Sequence, residues 1–465
     1  MRSWFEAISP NSHLSRGGRL LLLTLGIVFL VFCVITVHRA ALQDTRKGDL
    51  NVYLRAAWAA RSGESMYHIL DDHGWHYNYL PLLASVLIPL ADPPAEAPAT
   101  ARAGILPYWL SVTIWYWLSI ACLIAAVHVV ASALEATTGP PRRFSQVWWA
   151  MRVLPILVTL FFIGDGIGRG QVTPMLMLLL AGSGAAILRG QSLRAGFWLG
   201  FAIMLKLFPA YLLIYPLWRR DKRFIAGAAA SMLIGFLIPF ATMGPSAGFA
   251  AYREFVDLRL FGEAARMGDP MVKNELYGTN SRIQGFQYII YDTLHPDRET
   301  RLPQPPMPYL LAHIALSGLF TAGALWAMRR RGDPLGEFLA FAALSLLMIP
   351  ILPVSRMHYY ALGALAFAGL YAAEWRHRRG LWAGWPVAIA GTAFVVTGLL
   401  DAMDNEVALE FGFATYAALA VVYLALRERR RRSLGFNRAQ GAPQVDEDAP
   451  RPAKALDERV RDIAG

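Results

Sequence analysis

Apolar residues in this chain come in long uninterrupted blocks rather than amphipathic stripes, as in LLLLTLGIVFLVFCVITV at 20–37. A bilayer core takes about 20 consecutive apolar residues of helix, so blocks of this length read as membrane spans. Further blocks fall at about 79–91, 105–134, 147–163, 172–188, 195–217, 224–243, 307–328, 335–352, 357–374, 382–400 and 407–426. The pattern predicts an all-α polytopic membrane protein of about 12 transmembrane helices. The first block is too long for the core of a cleavable signal, and His38-Arg39-Ala40 is a poor small-x-small cleavage pattern, so it reads as a retained helix.

The polar stretches between blocks divide the chain. Residues 1–19 form an N-terminal segment, 20–426 the transmembrane body, and 427–465, rich in Pro, Ala, Asp and Arg, a disordered cytoplasmic tail. Two connectors are too long and polar for simple links, 38–78 and 244–306, and both are expected on the outer side, where function should sit. Within the first, NVYLRAAWAARSGESMY places Val52, Ala56, Ala59 and Ala60 apart from Arg55 and Arg61, which predicts a short helix lying along the interface.

Composition agrees: 55% of the 465 residues are hydrophobic and only 17% are charged, against about 25% in soluble domains. The net charge of +11 would raise nucleic acid as a partner in a soluble protein. Here much of the excess sits in clusters directly after apolar blocks: Arg219, Arg220, Lys222 and Arg223; Arg329 to Arg331; Arg376, Arg378 and Arg379; Arg427 with Arg429 to Arg432. That is topology signalling, and it places these clusters in the cytoplasm. The same span count leaves Arg142, Arg143, Arg189 and Arg194 outside, against the rule, and Gln171 inside. Cys33 and Cys122 both lie in apolar blocks and read as small hydrophobes.

Several polar residues are candidates for chemistry. Asp49 follows the first helix by about a dozen residues; it is either the N-cap of the next helix or a general base at the membrane surface, roles that are compatible. Tyr77 and Tyr79 precede Pro81 at a block edge, where an aromatic belt is the alternative to a binding role. Gly170-Gln171 marks a tight turn, and Lys206 is a cation inside an apolar stretch, either functional or snorkelling to the cytoplasmic surface. In the second connector Asn280, Ser281, Arg282 and Gln284 can hydrogen-bond a sugar or phosphate; in PILPVSRMHYYALGA, Ser355, Arg356 and His358 suit an anionic leaving group. His68, His73 and His76 lack metal-site spacing and read as solvated loop; GDGIGRG at 164–170 is a weak nucleotide signal because no soluble strand precedes it.

Taken in order, these stretches resemble glycosyltransferase family 87 (DUF2029), polyprenyl-phosphate-mannose-dependent mannosyltransferases of the GT-C class, over roughly residues 45 to 375. The matches are Asp49 with Tyr53 and GESMY ending in Tyr67; YLPLL from Tyr79; GQVT at Gln171; GFWLGFAIMLKLFP around Lys206; NSRIQGF from Asn280 to Arg282; and LPVSRMHY around Arg356 and His358. Thr173 replaces an asparagine of the family pattern, Leu82 a proline and Arg356 an aromatic residue.

The resemblance implies a GT-C bundle with two large outer loops in a bacterial inner (plasma) membrane, its active site facing outward. It implies transfer of a sugar, mannose by analogy, from a polyprenyl-phosphate donor to a lipid or glycan acceptor, with inversion. Asp49 would be the catalytic base and His358 a group near the donor phosphate or acceptor. Tyr53, Tyr67, Tyr79, Gln171, Lys206, Asn280, Arg282 and Arg356 would contact substrate. The lipid-phosphate sugar is a co-substrate, no cofactor or divalent metal is implied, and membrane lipids rather than nucleic acid are the partners. Two other classes remain open on the residues: a transporter or flippase, and a lipid-pyrophosphate glycan ligase, which the arginines of the second connector would suit.

Overall fold

The structure is a computed structural model that describes residues 14–42, 48–98, 102, 104–260, 283–295, 305–377, 384–403, 405 and 412–441. Among the described residues the regular elements are helices, with two isolated β-bridges. In chain order they are α1 (Arg16–Val37), α2 (Asp49–Ser62), α3 (Pro81–Val86), α4 (Tyr108–Thr138), α5 (Gln146–Val158), α6 (Leu160–Gly168), α7 (Thr173–Leu188), α8 (Ser192–Leu205) and α9 (Ile214–Arg219). There follow α10 (Lys222–Met243), α11 (Pro245–Glu254), α12 (Phe286–Leu294), α13 (Met307–Ala327), α14 (Pro334–Ile351), α15 (Gly363–His377), α16 (Trp385–Ala402) and α17 (Phe413–Gly441).

Six of the described helices are long and apolar enough to cross a membrane: α1 with its extension to Leu42, α4, α10, α13, α14 and α16. The α5–α6 pair makes a seventh if counted as one span bent by 64°. Pro155 leaves one hydrogen bond unmade inside α5, and the chain breaks one turn later at Thr159, whose hydroxyl donates back to the Pro155 carbonyl (2.8 Å). At the centre stands α14, in which every residue from Leu335 to Pro350 except Glu337 is buried. A helix apolar all round is stable only when surrounded in this way.

Two expected spans are wrong, and the errors compensate. The 79–91 block does not cross: Pro81 starts a helix of only 6 residues and Pro89 sits in a single 3-10 turn after it, well short of a bilayer core. The 195–217 block is two legs. Lys206 is extended (φ −152°, ψ 128°) after α8, and Pro209, whose missing N–H costs nothing in a first turn, stands second in the 3-10 segment that returns into α9. One span removed and one added leave the second half in register but reverse everything between. Gln171 therefore stands at the same end as Asp49, and Lys206 joins them there. Arg142, Arg143, Arg189 and Arg194 move to the end that carries Arg219 and Arg220.

Ion pairs hold that basic end. Glu337 accepts from Arg219 (2.7 Å), Arg429 (3.3 Å) and Tyr215 (3.1 Å), and Arg432 pairs with Asp333 (2.8 Å). Arg429, whose side chain is fully buried, also donates to the carbonyls of Ala327, Met328 and Arg330, which the end of α13 leaves without helical partners. The boundary expected at 427 thus falls inside α17, where Arg429 and Arg432 are buried while Arg427, Arg430 and Arg431 are exposed; residues 442–465 lie outside the described residues.

Neither is α2 an interfacial helix. All of Leu50 to Ala60 is buried. Arg55 turns inward to Asp72 (2.9 Å) and Asp92 (3.8 Å), so the helix is clasped on its Asn51–Arg55 side while Asp49 and Tyr53, also one turn apart, face the other way.

Candidate active site

The site forms where the start of α2 meets the turn between α6 and α7. Asp49 is the first residue of α2, and Gly48, not Asp49, occupies the cap position. Two glycines permit the contact. Gly48 has φ +118°, and a Cβ there would lie 2.6 Å from the Arg169 carbonyl oxygen; Gly170 has φ +67°, and a Cβ there would lie 2.6 Å from Leu50 Cβ. The Trp115 indole N–H donates to the Gly170 carbonyl (3.0 Å) and pins the turn from α4.

Gln171 is buried at the centre. Its amide N–H donates to the Asp49 carboxylate. Its amide oxygen lies 3.1 Å from the hydroxyls of both Tyr53 and Tyr79 and 3.4 Å from Lys206 Nζ. Donors on one side and a carboxylate on the other fix the orientation of the amide. The two phenols are 2.7 Å apart and Lys206 donates to Tyr79 (2.9 Å). Each phenol has one proton, so one serves the partner phenol and the other serves Gln171. Burial first, with the Asp49 charge adding to it, holds both phenols protonated well above their ordinary range.

Lys206 has no carboxylate within ion-pair distance among the described residues; it faces the rings of Tyr359 (4.4 Å) and Tyr79 (4.7 Å) instead. Tyr359 leads to a second cluster. His358, buried and 4.4 Å ring to ring from Tyr359, places Nδ1 3.4 Å from Asp165 Oδ2, and the other oxygen of Asp165 accepts from Arg169 Nε at 2.7 Å. The backbone of Arg169 returns to α2 by accepting from the Leu50 N–H (3.4 Å), which closes the ring of contacts.

The His358 cluster heads a cavity of about 1550 Å³ between α1 and the α4–α6 wall. Asp165, Arg169, Arg356 and His358 line one end, Phe144, Trp148 and Arg152 the other, and the wall between is apolar, including Leu22, Phe29 and Ile156. Of α1 only Cys33 is buried, so this helix stands off from the bundle and leaves the space open.

The expected residues thus divide. Asp49, Tyr53, Tyr79, Gln171 and Lys206 share one network; Arg356 and His358 belong to the adjoining cluster. Tyr67 stands behind them: its hydroxyl donates to the Tyr79 carbonyl (2.9 Å) and its own carbonyl accepts from Arg259 (3.1 Å). Asn280 and Arg282 lie outside the described residues, but the next two residues dock directly on the His358 segment: Ile283 bridges to Arg356, and the Gln284 N–H donates to the Ser355 carbonyl (2.8 Å). Among the described residues no group of three His, Cys, Asp or Glu side chains gathers to hold a metal, His68, His73 and His76 included. Asp165 and Arg169 went unassigned in the sequence, although an acid and a base four residues apart in an apolar helix were the available signal.

Fold and site together define a polytopic helical membrane protein with a carboxylate-centred polar site at one end and a cation-headed apolar cavity beside it. The model of glycosyltransferase family 87 matches residues 77–353, more than half of the chain. The chain belongs to that family and is a membrane glycosyltransferase.

Two curated relatives are named polyprenol-phosphate-mannose-dependent alpha-(1-2)-phosphatidylinositol mannoside mannosyltransferase. The protein from Mycobacterium tuberculosis is 26% identical over 347 residues, 71% of each chain. That from Mycolicibacterium smegmatis is 27% identical over 325 residues, 67% of each chain. Among solved structures the chain aligns with ArnT from Cupriavidus metallidurans bound to undecaprenyl phosphate, at TM-score 0.42 and 14% identity, covering 94% of this chain and 82% of that one.

Proposed function

We propose that the protein transfers a sugar, mannose by analogy with its relatives, from a polyprenyl-phosphate donor to a lipid or glycan acceptor at the outer face of a bacterial plasma membrane. The observation that carries this reading is the cavity: Arg169, Arg356 and His358 gather at one end of a long apolar space, beside the Asp49 network, while Arg152 at the other end is paired with Glu135. A lipid phosphate needs this combination, with its charge at the boundary and its tail among helices. The arginine-rich end opposite is the cytoplasmic one by the positive-inside rule, which turns Asp49 outward.

Asp49 takes the proton from the acceptor hydroxyl while that oxygen bonds to the anomeric carbon. The bond from that carbon to the phosphate oxygen breaks, its electron pair stays on the phosphate, and the anomeric centre inverts. Arg169, Arg356 and His358 stabilise the leaving phosphate, which needs no general acid. Gln171 holds the base in place. Gln171→Glu would set a second carboxylate against Asp49, so the acidic limb of the pH–rate profile should move to higher pH by about one unit or more, because like charges raise the proton affinity of the pair.

Purified protein given a polyprenyl-phosphate sugar and a membrane acceptor extract, with chelator and without nucleotide, should form glycosylated product. Transfer from a nucleotide sugar alone, with no lipid-phosphate sugar present, would overturn the proposal.

A further inference from the structure

We infer that Asp165 is a positioning residue for His358, holding the imidazole protonated so that it donates through Nε2 to the phosphate oxygen that leaves the sugar. This rests on the lipid-phosphate reading above and assigns a role to a residue outside the family motifs recognised in the sequence.

The geometry is specific. Asp165 lies on the last turns of α6, and its two carboxylate oxygens serve two different cations: Oδ1 meets Arg169 at 2.7 Å and Oδ2 faces His358 Nδ1 at 3.4 Å. All three side chains line the same end of the cavity. Packing borders the imidazole as well: Tyr359 stands edge-on to the ring, and Gly166 faces the His358 Cβ. Neither ring nitrogen of His358 makes a hydrogen bond among the described residues, although both are buried. A buried imidazole with one nitrogen turned to a carboxylate leaves the other for a ligand, and here the ligand space is the cavity it lines.

Other charges act on the same ring. Burial opposes a proton on it most, and Lys206, Arg169 and Arg356 add to that; Asp165 first, then Asp49, favour one, Asp401 lines the same cavity, and the phosphate of a bound donor would add a further negative charge. Asp165 alone among these carboxylates is in ion-pair contact with His358. The step itself gains nothing and loses nothing in atoms: the hydrogen bond from Nε2 shortens as charge builds on the phosphate oxygen, and the proton stays on the imidazole.

The test is the alkaline limb of the pH–rate profile, measured with polyprenyl-phosphate sugar on the wild type, Asp165→Asn and His358→Gln. An opposite charge at this range moves such a group by about 1–3 units. Removing the Asp165 charge lets His358 lose its proton at lower pH, so in Asp165→Asn the limb should shift down by that amount, with the rate partly recovered on acidification. The acidic limb should stay where it is. In His358→Gln the alkaline limb should vanish, and adding Asp165→Asn to it should cost little more.

A uniform loss of rate with the limb unmoved would make Asp165 structural only, and a limb that persists in His358→Gln would assign it to another group; either result overturns the inference. Absence of lipid-dependent transfer in the wild type would instead reject the underlying reading.

Discussion

Replacing Asp49 by Asn should lower turnover by roughly 10²–10⁴-fold, the usual contribution of a positioned general base. Asn matches Asp in shape and can still accept from the Gln171 amide, so α2 should keep its place against the 169–171 turn. The packing of α2 does not depend on Asp49: Tyr53, Leu54, Ala56 and Ala57 are fully buried, and Arg55 is clasped by Asp72 and Asp92 on the far side. Detergent-purified Asp49→Asn should therefore elute and melt like the wild type and bind donor with similar affinity. Single-turnover rates on preloaded donor read the effect without contribution from binding. Most of the activity surviving in Asn would reduce Asp49 to a structural residue of the helix start.

The second large effect is expected at Arg356, whose truncation to Ala should cost about 10²–10³-fold, as for a removed donor at a developing negative charge. Its side chain has no carboxylate partner among the described residues and lines the cavity beside His358. The backbone bridge to Ile283 does not involve the side chain and should persist. Lys at this position should restore part of the rate, because it supplies the charge without the planar fork that grips two phosphate oxygens. Kinetics with varied donor separate the cases: loss in kcat marks stabilisation of the leaving group, whereas loss only in KM would mean uniform binding.

Much of this site is legible in the amino-acid sequence. Asp49, Tyr53, Tyr79, Gln171 and Lys206 come from four separate stretches of chain, and a single glutamine joins them, which is why motif order carries information that no one motif does. Spans are harder, because hydropathy counts apolar length and does not see where a helix stops. Pro89 truncates one block and the extended Lys206 divides another, so apolar length alone puts Gln171 and Lys206 at the wrong end, although their residue types single them out correctly.

Asp165 and Arg169 escape notice for a related reason. Within GDGIGRG the glycines suggest a phosphate loop, yet the segment is the end of a membrane helix, where the charged pair is the informative feature. The basic residues of α17 mislead in the opposite direction. Composition alone cannot show that Arg429 and Arg432 meet Glu337 and Asp333, acids about a hundred residues earlier in the chain.

The central claim is a single displacement at the anomeric carbon by an acceptor oxygen that Asp49 deprotonates, with the lipid phosphate leaving from the opposite face toward Arg356 and His358. Its most direct measurement is the anomeric configuration of the transferred sugar, determined by NMR on product formed from a polyprenyl-phosphate donor of known configuration. The account predicts inversion, a β-linked donor giving an α-linked product. Retention of configuration would require two successive displacements through a covalent sugar–enzyme intermediate, and would contradict Asp49 acting as the base of a single displacement.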